Sequence, residues 1–449
     1  MAAVASSPVH PSLGAGQHAP SHLRPLRSFF MSNSLHHEFR ERKAAIIEPT
    51  DPDDPRTSRF PQVLLNYHSF VALEPLYSSQ SPSKTFGWVT EVYKANCQTD
   101  GKAYCIRRID SNRVSLEAAR QMHEAWAAVS HPNIVPWCDT FASKVVSGVN
   151  NVFFVHEYHP CAMTLQDRYF NPMHPAQNSI EEPLLWSYIL QLVSALRAIH
   201  SAGLACRSLR PCKILITGKN RIRLSSIGII DALGIDRGKA LSRYQYEDLL
   251  SLGKLILSLA TNSSDKSALL AFRDHIELVE ASYSPDLKTL ILLLLKHGQK
   301  FITIDDVYAL LAPRFASHID QLYRHNDEIE TELSKEMENG RLFRMVTKLG
   351  FINERPEFDH DPNWSETGNR YLLKLFRDYV FHQVNSDRSP NVDYAHVVET
   401  LNKLDLGSPE KLVLSSRDGQ SFLVVSYKDL RRCAEEAFFD LLSTSKPSS

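Results

Sequence analysis

Two cationic residues could take part in chemistry: Arg107 in the segment CIRR and Lys213 in the segment CRSLRPCKIL. A guanidinium can hold phosphate oxygens with several donors, and an ammonium can neutralise phosphate as a compact point charge. The cysteines are dispersed and form no CxxC pair, which fits a reducing compartment and no zinc site; they are Cys97, Cys105, Cys138, Cys161, Cys206, Cys212 and Cys433. These residue types therefore favour phosphate binding over a metal centre.

The charge of the whole chain is nearly balanced, with 50 Lys and Arg residues against 51 Asp and Glu residues. This balance argues against a protein that coats nucleic acid or an acidic membrane over its whole surface, although a local basic site is allowed. The longest aliphatic run, Leu290–Leu295, is too short to span a bilayer, and the N-terminal residues lack a signal-peptide pattern. We expect a cytoplasmic protein of about three folded units, with no membrane segment.

The elements that must position Arg107 and Lys213 change in kind along the chain. Short segments rich in β-branched and aromatic residues follow Tyr67, and they read SFVAL, GWVTEVYKA, KAYCIRRI and VFFVHEY. After Glu181 the apolar residues recur with helical spacing, at Leu185, Ile189, Leu192, Val193, Leu196 and Ile199. The sequence thus predicts a small β-rich lobe followed by a larger α-rich lobe.

These two lobes resemble the protein kinase fold, because its landmarks occur in the kinase order. FGWV resembles the end of a glycine-rich loop, CIRR the end of the β3 strand, and HPNIV the turn into the fourth strand. FVHEYHP resembles the hinge, CRSLRPCKIL the HRDLKPxNIL segment, and LSSIG the segment ending in DFG. Asp248, Ser251 and Gly253 match the DxWSxG helix. The resemblance places Arg107 at the phosphate-binding lysine.

The groups that carry out phosphoryl transfer are missing from this skeleton. A kinase needs a carboxylate to accept the hydroxyl proton and ligands that hold magnesium on the phosphates. Ser208 stands at the position of the proton-accepting Asp, Lys213 at that of the magnesium-binding Asn, and Ser226 at that of the DFG Asp. The helix that normally supplies a glutamate carries Met122 there, and no APE motif follows. The sequence therefore predicts a pseudokinase without catalytic residues.

Nucleotide binding could survive the loss of catalysis. The hinge backbone of Glu157–Pro160 can bond an adenine edge, and Thr164 lies where kinases place a ribose contact. Lys213 would repel a metal ion but could neutralise phosphate charge together with Arg107. One hypothesis is nucleotide binding with little dependence on magnesium. The alternative is that both cations are solvated in a vestigial cleft.

The segment after the kinase-like region has the spacing of a coiled coil. Apolar residues and one Asn alternate at intervals of four and three, at Phe315, Ile319, Leu322, Asn326, Ile329 and Leu333. A lone Asn at an a position favours a two-stranded coil because the two amides can pair across the seam. The alternative is an amphipathic helix that packs on its own domain.

The first sixty or so residues are rich in proline and are expected to be disordered. The segment FFMSNSLHHEFRER, Phe29–Arg42, could form a helix, either transient in a linker or as a docking peptide. A compact unit with several helices follows Gly340, and its Asp418-Gly419 pair predicts a tight hairpin turn. The predicted domains are a disordered tail (1–66), a pseudokinase (67–313), a coiled coil (314–339) and a mostly helical knob (340–449). The fold class is α+β.

Three longer segments bear a more specific resemblance, to the regulatory third subunit of the poly(A)-nuclease deadenylation complex. They are ENGRLFRMVTKLGFINERPEF, DPNWSETGNRYLLKLFRDYVFHQV and LNKLDLGSPEKL, and GLACRSLRPCKILITGKNRIRL is similar to the pseudokinase of that family. The similarity extends from about Leu65 to the end of the chain. It covers the order pseudokinase, coiled coil and knob.

The resemblance implies a homodimer joined by the coiled coil, which binds the catalytic exonuclease and delivers it to poly(A) tails. It also implies an interaction with poly(A)-binding protein and a cleft that binds ATP, without hydrolysis, or adenosines of the RNA tail. The matching nucleotide-contact positions are Arg107, Glu157, Tyr158, His159, Pro160, Cys161, Ala162, Met163, Thr164, Cys212 and Lys213.

Two departures from the family pattern concern the N-terminal region. Longer members carry a CCCH zinc finger there, whereas the first cysteine of this sequence is Cys97, and no clear motif for poly(A)-binding protein is evident. The sequence is thus expected to be a short form or a member without those parts. Two other functions stay open, a pseudokinase scaffold of another complex and an atypical active kinase.

Overall fold

The structure is a computed structural model, and it describes residues 28–74, 82–110, 114–146, 148, 151–171, 180–236, 238–263, 271–295, 302–355, 357, 361–416 and 419–444. Two compact units can be distinguished. The first extends from Glu38 to Leu322, and the second begins at Tyr323 and includes the described residues before Glu38. None of the described helices is long and apolar enough to cross a bilayer.

Helix α1 (Asn33–Ile47) lies where the sequence predicts a disordered tail. The buried Lys94 ammonium donates hydrogen bonds to the backbone carbonyl oxygens of Ala45 at 3.1 Å, Ile46 at 3.0 Å and Glu48 at 2.7 Å. The last carbonyls of a helix have no partner within the helix, and a cation there also favours the helix dipole. Helix α1 thus overlaps the segment Phe29–Arg42 in which the sequence allows a helix, and it continues to Ile47, where disorder was expected, because the sheet supplies a cation that holds its backbone.

A six-stranded antiparallel sheet forms the smaller lobe of the first unit. Its spatial order is β1-β2-β3-β4-β6-β5, with bounds β1 (Val63–Leu64), β2 (Tyr67–Ala72), β3 (Thr90–Cys97), β4 (Ala103–Ile109), β5 (Trp137–Ser143) and β6 (Asn151–Glu157). Ile106 and Phe153 pack in a cluster on one face, whereas Ile109 and Phe154 join the large core on the other. Helix α2 (Leu116–Ala127) is capped by Ser115, close to the predicted helix start.

Helices dominate the larger lobe, as the sequence predicts. They are α3 (Leu165–Tyr169), α4 (Glu182–Ser201), α5 (Ile229–Ala232), α6 (Leu241–Thr261), α7 (Phe272–Ser282), α8 (Pro285–Leu295) and α9 (Ile304–Leu310). A small sheet accompanies them, with strands β7 (Met163–Thr164), β8 (Ile214–Gly218) and β9 (Arg221–Leu224). The predicted apolar face of α4 is buried in the core, from Leu185 to Ile199.

The second unit is built around the C-terminal part of a 42-residue helix, α10 (Ala312–Asn353). Its other elements are α11 (Gly368–Phe381), α12 (Tyr394–Leu406), the antiparallel strands β10 (Lys411–Ser415) and β11 (Phe422–Ser426), and α13 (Tyr427–Thr444). Helix α10 continues through Gly340, where the sequence predicts the start of the knob, because Leu342 and Ile352 beyond it are buried in the core of this unit. Of the predicted turn pair, Asp418 lies outside the described residues.

Candidate nucleotide-binding cleft

Arg107 lies in the middle of the small-lobe sheet. Strand β4 pairs with both β3 and β6, and Arg107 stands opposite Val92 on one side and Phe154 on the other. Its Nη1 donates to the Thr90 hydroxyl oxygen at 3.2 Å, and only 8% of the residue is exposed. The sheet thus holds the guanidinium in a fixed position at the boundary of the large core.

The carboxylate partner of Arg107 comes from an unexpected place. Glu74, two residues beyond β2, has its Oε1 at 3.5 Å from Arg107 Nη2. The helix that supplies this glutamate in kinases corresponds to α2, in which Met122 packs partly buried and Glu124 is exposed. The predicted loss of the helical glutamate therefore agrees with the geometry, and Glu74 forms the ion pair instead.

Lys213 reaches the same region from the larger lobe. It ends the 3-10 turn Pro211–Lys213, directly before β8. Its carbonyl accepts hydrogen bonds from the Ser225 N–H at 2.8 Å and the Ser225 hydroxyl at 3.0 Å. The residue is 6% exposed. Burial lowers the pKa of Lys213 to about 8, and the positive charge of Arg107 contributes to this shift. Two cations from different lobes are therefore held within electrostatic reach of each other.

The ring of Phe86 lies against both cations. The Lys213 Nζ is 4.9 Å from the ring centroid, and the Arg107 Cζ is 5.6 Å from it. Phe86 is 1% exposed and belongs to the large core. The segment FGWV resembles the end of a glycine-rich loop, but that resemblance predicts no contact between Phe86 and the two cations.

The hinge run follows directly on β6. Tyr158, His159 and Pro160 are half-buried, Cys161 is exposed with φ at +57°, and the Ala162 N–H donates to the His159 carbonyl at 3.3 Å. Burial lowers the pKa of His159 to about 4, so this side chain is neutral near pH 7. The run Glu157–Ala162 is therefore a turn that connects the two lobes, as the sequence predicts.

Three other predicted contact residues have different surroundings. The Thr164 hydroxyl donates to the Asp167 carboxylate at 2.7 Å and accepts from the Asp167 N–H at 3.0 Å, which is a capping box at the start of α3. A ribose contact there would compete with this cap. Cys212 is exposed beside the buried Lys213, and Met163 is exposed on β7.

His156 is a buried group in the cleft that the sequence analysis did not single out. It stands opposite Cys105 between β6 and β4, and its Nε2 has no hydrogen-bond partner in the described part of the chain. Burial, together with the charge of Arg107, lowers its pKa to about 3. A neutral imidazole therefore lines the sheet just before the hinge. Its only sequence signal is its place within FVHEYHP.

The two serines at the positions of kinase carboxylates are both buried. Ser208 and Ser226 lie in the larger lobe, and Ser226 has a positive φ of 58°. A neutral hydroxyl can neither take the role of a carboxylate base nor hold magnesium as a carboxylate does. Among the described residues, no three His, Cys, Asp or Glu side chains are grouped so that they could hold a metal ion.

Family models match both units of the chain. Residues 86–242 match the protein kinase domain, and residues 304–441 match the PAN3 C-terminal knob domain. The structure is similar to a solved Drosophila melanogaster PAN3 pseudokinase at 40% identity and a TM-score of 0.76, covering 85% of this chain and all of the other. The chain belongs to the PAN3 family. The predicted α+β kinase-like fold with a following knob is thereby confirmed.

Two further PAN3 relatives extend the match. A Neurospora crassa PAN3, solved as its pseudokinase and C-terminal region in complex with PAN2, is 32% identical with a TM-score of 0.81, covering 92% of this chain and all of the other. The PAN2-PAN3 deadenylation complex subunit pan3 of Dictyostelium discoideum is 48% identical over 421 residues. That match covers 94% of this chain but 56% of the relative, so the chain spans little more than half of its length.

Proposed function

We propose that this chain is a non-catalytic regulatory subunit of a cytoplasmic poly(A)-tail deadenylation complex. Its kinase-like unit binds an adenine nucleotide, or adenosines of the tail, between the hinge run and the pair Arg107 and Lys213. The observation that carries the nucleotide part is the convergence of these two buried cations on one ring, Phe86, at the inner end of the cleft. Since Ser208 and Ser226 cannot replace carboxylates, the bound nucleotide is not used for phosphoryl transfer.

The partner assignments follow from membership in the PAN3 family. We propose that the exposed seam of α10 forms a homodimer, that the dimer binds the catalytic exonuclease of the PAN2 type, and that poly(A)-binding protein is a further partner. Together these contacts bring the exonuclease to messenger RNA tails. A pseudokinase scaffold of another complex would share the cleft and the seam but not the exonuclease.

The exonuclease assignment predicts a stable complex and faster shortening of poly(A). We expect the purified chain to co-elute with a purified PAN2-type exonuclease in size-exclusion chromatography and to raise the rate at which it shortens an RNA that ends in adenosines. An inert protein of similar mass replaces this chain in the control reactions. Failure to co-elute, with an unchanged rate of shortening, would favour the scaffold of another complex.

Nucleotide binding predicts a large effect of Lys213. We expect Lys213→Met to weaken ATP binding by about tenfold or more, because a hydrogen bond to a charged group contributes roughly 1.5–3 kcal/mol. Lys219→Met is the matched control, since Lys219 is an exposed lysine in the turn between β8 and β9. Affinity is measured by titration calorimetry with excess chelator and with magnesium. A large loss of affinity in chelator would contradict the metal-free hypothesis, whereas equal effects of both variants would contradict the role of Lys213.

The same titration has an expected pH dependence. The pKa of Lys213 is lowered to about 8, so its ammonium is mostly charged at pH 7 and mostly neutral at pH 9. A neutral amine no longer attracts phosphate. ATP affinity should therefore fall between pH 7 and pH 9, and Lys213→Met should remove most of that fall.

A further inference from the structure

The Phe86 ring lies on Arg107 and Lys213, the two cations that would hold phosphate in the proposed nucleotide site. An aromatic ring attracts a cation that lies over its face within about 6 Å, and both cations meet that limit. With 1% of the residue exposed, the ring is enclosed by the core rather than displayed on the loop surface. A phosphate group that binds both cations on the side covered by the ring must therefore displace the ring.

The segment that carries Phe86 is a defined turn. The Ser83 N–H donates to the Trp88 carbonyl at 2.8 Å, and the Gly87 N–H donates to the Ser83 carbonyl at 2.7 Å. The Phe86 N–H lies 3.4 Å from the Ser83 hydroxyl oxygen. These bonds close the turn on itself, so the ring is presented by a compact unit and not by an extended strand.

A residue of the larger lobe forms a hydrogen bond with this turn. The Arg210 Nη1 donates to the Lys84 carbonyl at 3.1 Å. Arg210 directly precedes the Pro211–Lys213 turn, and its own carbonyl accepts the Lys213 N–H at 2.8 Å. Arg210, which contacts the turn that carries Phe86, thus lies three positions before Lys213, the cation that the ring covers, and this contact joins the two lobes.

We propose that Phe86 is a gate residue that makes the cleft discriminate between a nucleoside and its polyphosphate. The proposal rests on the proposed nucleotide function and specifies its regulation. Adenosine bound at the hinge run leaves the ring on its two cations. A triphosphate requires the ring to leave, so its binding is coupled to opening of the turn Ser83–Trp88 and to release of the contact between Arg210 and Lys84.

The gate should lower the affinity for ATP relative to the affinity for adenosine. Moving a phenylalanine ring from a buried to an exposed position costs free energy that is subtracted from ATP binding but not from adenosine binding. Removing the ring abolishes that cost. Phe86→Ala should therefore raise ATP affinity by about tenfold while leaving adenosine affinity nearly unchanged.

The test measures ATP and adenosine affinity by calorimetry, in chelator, for the wild-type chain, Phe86→Ala and Phe86→Leu. Leu keeps much of the apolar volume but lacks the ring face, so its gain in ATP affinity should be smaller than that of Ala. Thermal unfolding of each variant checks that the chain is folded. Parallel changes in both affinities, or lower ATP affinity in both variants, would overturn the gate.

A second measurement does not depend on nucleotide binding. Brief acetylation with acetic anhydride, read by mass spectrometry, reports how accessible the Lys213 amine is, with the exposed Lys219 of the same molecule as the internal reference. Phe86→Ala should raise the rate at Lys213 relative to that at Lys219. An unchanged ratio overturns the gate. A raised ratio without any ATP or adenosine binding supports the gate and contradicts the proposed nucleotide function.

Discussion

Gly228→Ala is expected to lower the free energy of unfolding of the kinase-like unit by about 3 kcal/mol. Gly228 has a φ of +72°, a left-handed conformation that costs a residue with a side chain roughly 1–2 kcal/mol. An added Cβ would also lie 2.7 Å from the Trp126 Cδ1 and 2.8 Å from the Trp137 Cζ3. Both indole rings are buried, so neither can move aside without disturbing the packing between the lobes.

Gly101→Ala is the matched control for Gly228→Ala. Gly101 has nearly the same φ, +69°, but an added Cβ would have no other atom within 4 Å. Gly101→Ala should therefore lower the free energy of unfolding by about 1 kcal/mol, which is the cost of the left-handed backbone conformation alone. Urea unfolding followed by tryptophan fluorescence measures both changes. If the two variants lose the same stability, the contact with Trp126 and Trp137 is not what fixes glycine at position 228.

Gly228 also shows how far a local pattern can be interpreted. The segment LSSIG resembles the kinase segment that ends in DFG, and β9 ends at Leu224, the first residue of LSSIG. The pattern does not show that two indole rings, from α2 and β5, close on the glycine. That contact joins residues about 100 positions apart in the chain, so the sequence of the segment alone cannot predict it.

The sequence predicts those cleft residues that lie within segments resembling kinase motifs. Arg107 and Lys213 were both found from their segments, because kinase strands and turns place those positions at the same cleft. Glu74 was not predicted, because it follows strand β2 in a segment that matches no kinase motif. Phe86 was recognised as part of a loop but not as a ring over two cations, because loop sequence does not specify which way the loop folds.

The N-terminal helix α1 overlaps the possible helix Phe29–Arg42 but lies within the tail that was expected to be disordered, and the physical reason is a different one. Proline-rich composition predicts disorder when a segment has few apolar residues to bury, and within the described residues α1 indeed buries none of its side chains. The interaction that holds its end uses backbone carbonyls, which every residue possesses. Only the partner, Lys94, is distinctive, and it lies more than 45 residues away along the chain.

Helix α10 continues past Gly340, where the predicted coiled coil and knob divide. A glycine within a helix costs about 1 kcal/mol relative to alanine. Helix α10 offsets this cost by burying Leu342, Leu349 and Ile352 against the other helices of the second unit. Tertiary packing thus extends one helix from the seam into the knob, and no linker separates the two.

The seam of α10 carries the other large expected effect. Phe315 is half-buried against the large core, whereas the other four apolar side chains of the seam are exposed in the single chain. The exposed fractions are 45% for Ile319, 43% for Leu322, 36% for Ile329 and 54% for Leu333. These values disfavour the alternative of a helix packed on its own domain. We therefore expect Ile329→Asp combined with Leu333→Asp to convert the proposed homodimer into a monomer at micromolar concentration, measured by sedimentation equilibrium.

The expected loss is large because the four new carboxylates of a dimer would face one another across a seam from which water is excluded. Each buried charge without a partner costs several kcal/mol, so the dissociation constant of the dimer should rise by about 100-fold or more. Gln321→Asp with Thr331→Asp is the matched control, since it adds the same charge to exposed positions that the heptad spacing places outside the seam. Both variants should unfold at similar temperatures if α10 keeps its packing in the second unit. A dimer that survives the seam variant, or one that the control dissociates equally well, would show that the copies associate through another surface.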